Sequence, residues 1–346
     1  MKRGSKYGDH RVVHPVGCLP QAADVLNNDM TILANEILLE VDALNIDSAS
    51  FRQLFEAAAG DTARMAKEIL AIVERRGKMQ NPVTGSGGML IGRVAEIGSD
   101  LLGRIPLAVG DKIATLVSLS LTPLQIESIE AIHSDIDRVD VVGQAILFES
   151  GLYAKLPDDM PEAVALAALD VAGAPAQMAK IVQPGQSVLI IGAGGKSGTL
   201  CAYAAREAAG EAGRVVGTDL TLEAGDFLLG EKQLDAYFAA DATDAVAVLE
   251  KALAANRGNM YDVAVLVVNA ASAEMSAILP VRDGGTVYFF SMATSFSKAA
   301  LGAEGVGKDI NMLIGNGYTA GHADCTLNWL RREPRLYERF VNVYCS

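Results

Sequence analysis

The sequence predicts an α/β fold made of a doubly wound parallel sheet and a second, distorted β-barrel-like domain. The main observation is the stretch SVLIIGAGGKSGTL at 187–200, in which a buried strand runs into a glycine turn and then into a helix. Strand and helix patterns continue to alternate after it, which is typical of a parallel sheet. Residues 1–165 instead carry short apolar runs divided by Gly and Pro, a pattern typical of a separate β domain.

Composition excludes several classes of protein. The 346 residues are enough for two domains, and a net charge of −13 argues against a nucleic-acid partner, since phosphate contacts need basic side chains. No apolar run reaches the roughly 18 residues of a membrane span, and no secretory signal is expected. Four cysteines, Cys18, Cys201, Cys325 and Cys345, stand singly, so we predict no structural zinc lobe and expect reduced thiols in the cytoplasm.

Gly195-Lys196-Ser197 raises the question whether the stretch is a triphosphate-binding loop. Such a loop needs Gly-x-x-x-x-Gly-Lys-Ser/Thr, because its first glycine opens the turn that binds phosphate. The corresponding position is Ile190, inside the apolar run, and a β-branched residue cannot take the backbone role of that glycine. The sequence therefore excludes this kind of loop.

The same stretch fits the phosphate turn of a dinucleotide-binding Rossmann fold, in which glycines follow a strand and open a helix. Ser197 stands where the third glycine is usual and is small enough for close packing, with Gly198 one residue later. A second strand, GRVVGTDL, ends at Asp219, whose carboxylate can accept the ribose hydroxyls of NAD and repel the extra phosphate of NADP. The alternative is a similar fold that binds another nucleotide or none. We predict NAD(H), with the cofactor-binding residues Gly192, Gly194, Gly195, Lys196, Ser197, Asp219 and Asn269.

The remaining elements follow from hydrophobic periodicity. One helix is predicted in SASFRQLFEAAAGDTARMAKEILAIVERRG, and strands in NEILLEVDAL, GGMLIGRVAEIG and GDKIATLVSLSL. We predict a catalytic domain with an N-terminal extension at 1–165, a Rossmann NAD-binding domain at 166–325, and a C-terminal helix at 326–346 that packs back on the catalytic domain.

Several motifs together resemble the medium-chain dehydrogenase/reductase superfamily. NEILLEVDALNIDSASF is similar to its opening strand and loop, GSGGMLIGRVAEIGSDL to its glycine-rich strand, VGDKIATL to a further strand, and KLPDDMPEAVALAAL to its link into the cofactor domain. These motifs cover most of residues 35–295. The resemblance implies a GroES-like catalytic domain joined to the Rossmann domain.

The sequence departs from the zinc-dependent members of that superfamily. The resemblance puts Asp47 at the place of a cysteine ligand, Ser86 at that of a histidine ligand, and Asp170 at that of the third ligand. Zinc prefers nitrogen and sulfur donors, and none remains at these places. We therefore predict no catalytic metal.

The extension YGDHRVVHPVGCLPQAADVLNND, with LNIDSASF and NPVTGSGGMLIG, resembles one family of that superfamily, the 3,5-diaminohexanoate dehydrogenases of anaerobic lysine fermentation. The resemblance runs the length of the chain. It implies that a small diamino acid, NAD and water give 5-amino-3-oxohexanoate, ammonia and NADH.

Carboxylates at these positions fit a substrate that carries ammonium groups. The ammonium group must lose a proton before its carbon releases hydride, and amine pKa values lie near that of Lys, about 10. Asp47 and Asp170 are predicted to pair with the two ammonium groups and to accept protons, and Ser86 to orient the amine or the water. Both aspartates also fit ordinary helix caps, so a structural role stays open.

Other roles stay open as well. The chain fits a zinc-free ketone, alkenal or quinone reductase that prefers NADPH, or a non-catalytic NAD-binding protein. Arg214 is the one basic residue near Asp219 in sequence that could bind a 2′-phosphate. Lys78, Arg93 and Arg11 are candidates for binding the substrate carboxylate.

GGTVYFFSMATSF is predicted to be an exposed terminal strand that pairs across a homodimer.

Overall fold

A computed structural model describes residues 2–315 and 317–344. The chain divides into two compact units, Met1–Asp158 and Asp159–Ser346. The division falls seven residues before the predicted boundary at 165. Cysteines 18, 201 and 325 are free thiols, and Cys345 lies outside the described residues.

The first unit is built on a six-stranded sheet. Two short strands precede it, β1 (Val12–His14) and β2 (Val25–Leu26), which pair in the N-terminal extension. The strands of the sheet are β3 (Glu36–Asn45), β4 (Met89–Ile97), β5 (Lys112–Thr115), β6 (Leu124–His133), β7 (Arg138–Phe148) and β8 (Tyr153–Lys155). They lie in the order β6-β7-β3-β4-β5-β8, and every pair is antiparallel. The three strands predicted for this part are β3, β4 and β5.

Two helices pack on this sheet where the sequence predicted one. They are α1 (Ser48–Ala57) and α2 (Thr62–Arg76), and the single predicted helix is wrong. The chain takes a left-handed conformation at Ala59 and Gly60, with φ of 56° and 78°, which a continuous helix cannot contain. Asp61 then starts α2 by accepting hydrogen bonds from the amides of residues 63 and 64. The apolar face of α2, including Ile69 and Ile72, enters the core of the sheet.

The second unit contains the predicted parallel sheet. Its elements are α3 (Glu162–Leu169), α4 (Gly173–Ile181), β9 (Ser187–Ile191), α5 (Lys196–Ala209), β10 (Arg214–Asp219), α6 (Asp226–Gly230), β11 (Ala236–Ala239), α7 (Ala245–Ala255), β12 (Tyr261–Leu266), α8 (Glu274–Ile278), β13 (Val281–Phe289), α9 (Phe296–Gly305), β14 (Asn311–Ile314), α10 (His322–Arg332) and α11 (Pro334–Tyr344). The strands lie in the order β11-β10-β9-β12-β13-β14, all parallel. This order is that of a Rossmann fold, and the fold prediction is confirmed.

Two expectations about the second unit need correction. The strand in GGTVYFF is β13, which pairs with β12 on one side and β14 on the other, so it is internal rather than terminal. The segment 326–344 belongs to the second unit, as most of α10 and all of α11. There Trp329 donates to Glu207 on α5 at 2.8 Å, and Arg339 donates to the carbonyl of Gly194 at 3.1 Å.

Within the described residues, no single helix has both the length and the apolar character needed to cross a membrane. Only α3 and α4 pass such a test together, as a pair bent by 51°. Most of their apolar side chains are buried within the second unit, as expected for core helices.

Arg11 is used inside the first unit rather than for a ligand. Its guanidinium is buried and donates to both carboxylate oxygens of Glu36, at 2.9 and 2.6 Å, and to carbonyls of the extension. Burial alone would raise the pKa of Glu36, but hydrogen bonds from Arg11, Leu33 and His10 outweigh it and lower that pKa. The pair anchors the extension to the start of β3. Arg11 is therefore a poor candidate for the substrate carboxylate.

Lys78 has a similar structural task. It is fully buried after α2, and its ammonium group donates to the carbonyls of Pro20 and Gln21, at 2.8 and 3.4 Å. Burial and the nearby charge of Arg76 lower its pKa to about 8, against the opposing influence of Asp24 and Cys18. Arg93, the third candidate for the substrate carboxylate, is exposed on β4 and keeps that role as a prediction.

We expect Lys78 to make stability depend on pH. Between about pH 8 and 10.5, an unfolded chain keeps this proton while the folded chain has lost it, so the free energy of unfolding rises with pH. The rise attributable to Lys78 is on the order of 1–3 kcal/mol, and Lys78→Met should lack it. Urea unfolding followed by circular dichroism at several pH values measures it. Lys67→Met, which removes an exposed lysine from α2, should behave like the wild type; equal slopes in Lys78→Met and wild type would contradict the assignment.

Candidate active site

One candidate site is a small acid–hydroxyl cluster in the first unit, made of Asp47, Ser50, Thr84 and Ser86. Asp47 follows β3 and is the N-cap of α1, where its Oδ1 accepts the amide of Ser50 at 3.1 Å. Its Oδ2 accepts a short hydrogen bond from the hydroxyl of Ser86. The structure therefore brings together the two residues that were predicted from the lost zinc positions. Their catalytic roles stay a prediction.

Two further hydroxyls complete the acid–hydroxyl cluster. Ser50 Oγ lies 2.9 Å from Ser86 Oγ and makes a short contact with Thr84 Oγ1. Thr84 Oγ1 also lies 3.4 Å from Ser86 Oγ. Sequence reasoning missed Ser50 and Thr84, and the only available signal was that Thr84 and Ser86 alternate with glycine in NPVTGSGG.

The loop that carries Thr84 and Ser86 is held in place by Asn81. Its side-chain oxygen accepts the amides of Val83 and Thr84, at 2.8 and 3.4 Å, and its NH₂ group donates to Gln53 on α1 at 2.7 Å. Gly88 then brings the start of β4 against the end of β3. A Cβ on Gly88 would lie 2.1 Å from the carbonyl of Asn45, so only glycine permits this approach.

A second candidate site, in the second unit, is the glycine turn between β9 and α5. Gly192 has φ of 94°, and a Cβ there would lie 2.8 Å from the amide of Val268. A Cβ on Gly198 would lie 2.0 Å from the carbonyl of Gly192. Gly198 is therefore the residue that permits close packing of the helix on the turn. The sequence analysis had assigned that position to Ser197, one residue earlier.

The start of α5 offers an anion site. Its N-cap is Gly195, which provides no side-chain cap, so the first amides of the helix are free for a ligand phosphate. Lys196 is the first helical residue, and its ammonium group lies 2.7 Å from Oδ2 of Asp170. Asp170 is at the C-cap of α3 with its side chain 53% exposed, so it acts as counter-ion to Lys196 and not as an N-cap. Its predicted catalytic role is untested.

Asp219 lies at the end of β10, as predicted, and binds the glycine turn. Its two carboxylate oxygens accept the amides of Gly194 and Leu220, at 3.1 and 2.9 Å. It borders a cavity of about 180 Å³. Asn269 is exposed in the loop after β12, between two residues of the cavity wall. The other wall residues are Ile191, Gly192, Thr218, Leu220, Ala240, Asp241, Ala242, Val268 and Ala270.

Arg214 does not serve this cavity. It begins β10, at the opposite end of the strand from Asp219, and its guanidinium donates to the carbonyl of Ala255 at 2.6 and 3.0 Å. The suggestion that it could pair with a 2′-phosphate is therefore wrong.

The residues of the second unit fit a nicotinamide dinucleotide. Such a cofactor needs three features, and this unit has them: glycines where the backbone approaches too closely for a Cβ, a helix start without a side-chain cap, and a carboxylate at the end of the second strand. For a metal ion the described residues offer no group of three or more His, Cys, Asp or Glu side chains. The expectation of a metal-free reaction stays a prediction.

Comparison with known proteins gives consistent matches. Residues 10–157 match the model of the L-erythro-3,5-diaminohexanoate dehydrogenase N-terminal domain. The chain is 61% identical to L-erythro-3,5-diaminohexanoate dehydrogenase of Acetoanaerobium sticklandii, over 99% of both chains. It is 58% identical to the enzyme of that name from Fusobacterium nucleatum, over 99% of this chain and 100% of the relative. Quinone oxidoreductase of Escherichia coli, solved with NADPH, matches 88% of this chain and 81% of its own, at 15% identity and a TM-score of 0.52, which shows the fold alone.

We expect Gly198→Ala to disturb the glycine turn, because the new methyl group would meet the carbonyl of Gly192. Binding of NADH should weaken by roughly tenfold or more. Isothermal titration calorimetry measures the change, and Gly230→Ala is the control, since a Cβ there meets nothing within 4 Å. Equal affinity in Gly198→Ala and wild type would show that the cofactor does not depend on this turn.

Proposed function

Because this chain belongs to the L-erythro-3,5-diaminohexanoate dehydrogenase family, we propose that it oxidatively deaminates L-erythro-3,5-diaminohexanoate with NAD, giving 5-amino-3-oxohexanoate, ammonia and NADH. The observation that carries the proposal is 61% identity over 99% of the chain to an enzyme of that name. The same substrate places the protein in lysine fermentation.

The acid–hydroxyl cluster of the first unit supplies the base. The substrate arrives as an ammonium ion, and its nitrogen must lose a proton before the neighbouring carbon can release hydride. Asp47 accepts that proton, since half of its carboxylate lone pairs remain free after the contacts with Ser50 and Ser86. A nicotinamide cofactor, when bound by the second unit, would supply the hydride acceptor. Ser86 holds Oδ2 of Asp47 and offers its own oxygen to the amine or to water.

Water then converts the iminium carbon to a ketone and releases ammonia. Deprotonation of this water needs a carboxylate, and Asp47 is available again once its first proton has left. Asp170 is the second proposed acid, matching the second ammonium group of the substrate. In the structure its carboxylate is paired with Lys196, so this role requires the pair to open.

Asp219 supports NAD over NADP as the cofactor. A 2′-phosphate beside this carboxylate would be repelled, and Arg214, the basic residue nearest in sequence, faces Ala255 instead. The proposal includes a cytoplasmic enzyme, in keeping with three free thiols. It also includes a homodimer. In the described part of the chain β14 pairs with β13 alone, so β14 and not β13 offers an edge for a partner strand.

The main rival is a zinc-free ketone, alkenal or quinone reductase of the same fold, because a fold alone does not decide the reaction. A catalytically silent NAD-binding protein is the other. The purified protein should form NADH from the diamino acid and NAD, with no comparable turnover of alcohols or of alkenals and quinones with NADPH. Turnover of only alkenals or quinones with NADPH would favour the reductase. No turnover of any of these compounds would favour the catalytically silent protein.

Asp47→Asn is expected to lower kcat by about 100-fold or more while the affinity for NAD stays nearly constant. Asparagine keeps the oxygen that caps α1 and places its NH₂ group opposite Ser86, whose hydroxyl oxygen can accept from it, so the change removes the base and leaves the fold intact. Asp61→Asn, at the N-cap of α2, makes the same change away from the cluster and should be silent. Near-normal turnover in Asp47→Asn would end its role as base.

Asp219→Ala should narrow the preference for NAD over NADP by about tenfold, because it removes the charge that repels a 2′-phosphate. The ratio of kcat/KM for the two cofactors measures this, with Asp226→Ala on the exposed start of α6 as the control. A wild-type enzyme that already prefers NADPH would contradict the assignment.

A further inference from the structure

The hydroxyl groups of the acid–hydroxyl cluster have a fixed direction. Asp47, as a carboxylate, can only accept hydrogen bonds, so the hydroxyl of Ser86 donates its single hydrogen to Oδ2 of Asp47. The hydroxyl of Ser50 must then donate its only hydrogen to Oγ of Ser86, which lies 2.9 Å from Oγ of Ser50. Thr84 must therefore donate to Ser50. The resulting chain, Thr84 to Ser50 to Ser86 to Asp47, has every hydrogen pointing toward the carboxylate.

The same chain passes from the partly buried Asp47 and Ser86 through the fully buried Ser50 to the exposed Thr84. A hydroxyl both donates and accepts, so each link can take a proton on one side and release another on the other. The geometry thus connects the proposed base to solvent through one buried hydroxyl.

The proposed reaction has one proton to dispose of in each cycle. The ammonium form of the substrate, NAD⁺ and water give the ketone, NADH, NH₄⁺ and H⁺, so charge and atoms balance with one proton released. The proton is taken up at Asp47, and it must leave before the carboxylate can act again.

We propose that Ser86, Ser50 and Thr84 form a relay that carries this proton from Asp47 to water at the surface of the first unit. This inference rests on the proposed function. When Asp47 is protonated on Oδ2, the three hydroxyls rotate to point outward. Asp47 then gives its proton to Ser86, Ser86 to Ser50, Ser50 to Thr84, and Thr84 to water. Each O–H bond that breaks is replaced by one formed from the inner side.

The direction deduced from the donors and acceptors is the one that such a transfer leaves behind. After an outward hop, each hydroxyl holds the hydrogen it received from its inner neighbour, so all hydrogens point back to Asp47. The deduced direction therefore corresponds to the discharged state of the proposed relay. A direct transfer between Ser86 and Thr84 would bypass Ser50, but their hydroxyl oxygens are 3.4 Å apart, which is long for a hydrogen bond between hydroxyls. The main path of the proton therefore passes through Ser50.

The test uses substitutions that break the relay and leave Asp47 and Ser86 unchanged. Thr84→Val removes the exposed hydroxyl in nearly the same shape, and Ser50→Ala removes the buried one. Each should lower kcat by about tenfold or more, with unchanged NADH affinity. Thr84→Ser should restore turnover. Ser48→Ala is the matched control, since Ser48 lies on the same turn of α1 but donates to Asp137, outside the relay.

Two readouts separate a relay from a structural role. Rising concentrations of a small buffer, at constant pH and ionic strength, should rescue Thr84→Val by accepting the proton that the missing hydroxyl would have passed on. Thermal melting should show all variants folded. Unchanged kcat in both variants, or a loss that neither buffer nor Thr84→Ser corrects, would overturn the relay. The proposed function would survive that result if Asp47→Asn alone is inactive, whereas a wild-type protein that forms no NADH from the diamino acid would overturn both.

Discussion

The candidate site depends on how Asp47 divides its two carboxylate oxygens. One oxygen accepts the amide that starts α1, and the other accepts the hydroxyl of Ser86 from a loop 39 residues further along the chain. Hydrogen bonds to a charged acceptor are stronger than neutral ones, so a single side chain fixes both a helix and a loop. The cap that orients the carboxylate is consistent with its proposed role as a base. A structural and a chemical role are therefore compatible at this residue.

The sheet makes that arrangement possible. Asp47 follows β3 and Ser86 precedes β4, and these strands are paired neighbours. Gly88 lets β4 begin in contact with the carbonyl of Asn45, which brings the loop over the start of α1. Asn81 then fixes the loop from within. The cluster is a consequence of strand pairing and one close backbone approach.

Local patterns in the sequence were sufficient for the cofactor unit. The run of β9, the glycine turn and α5 are adjacent in sequence, and β10 ends at Asp219 as its pattern indicates. The cluster was different, because Ser50 and Thr84 are 34 residues apart and serine and threonine occur in many loops. Only the family resemblance pointed to Asp47 and Ser86.

The misassigned charges have a common physical cause. Arg11 and Lys78 were visible as cations, but both donate to backbone carbonyls, which leave no trace in the side-chain pattern. Arg11 also pairs with the buried Glu36. The break between α1 and α2 was hidden because Ala59, a strong helix former, adopts a left-handed conformation there.

The ion pair between Asp170 and Lys196 bears on the order in which two ligands arrive. An anion that settles on the first turn of α5 competes with Asp170 for the ammonium group of Lys196. In the proposed reaction, a cofactor pyrophosphate bound there would free the carboxylate of Asp170 for a cation. That exchange would make binding of the dinucleotide before the diamine the expected order.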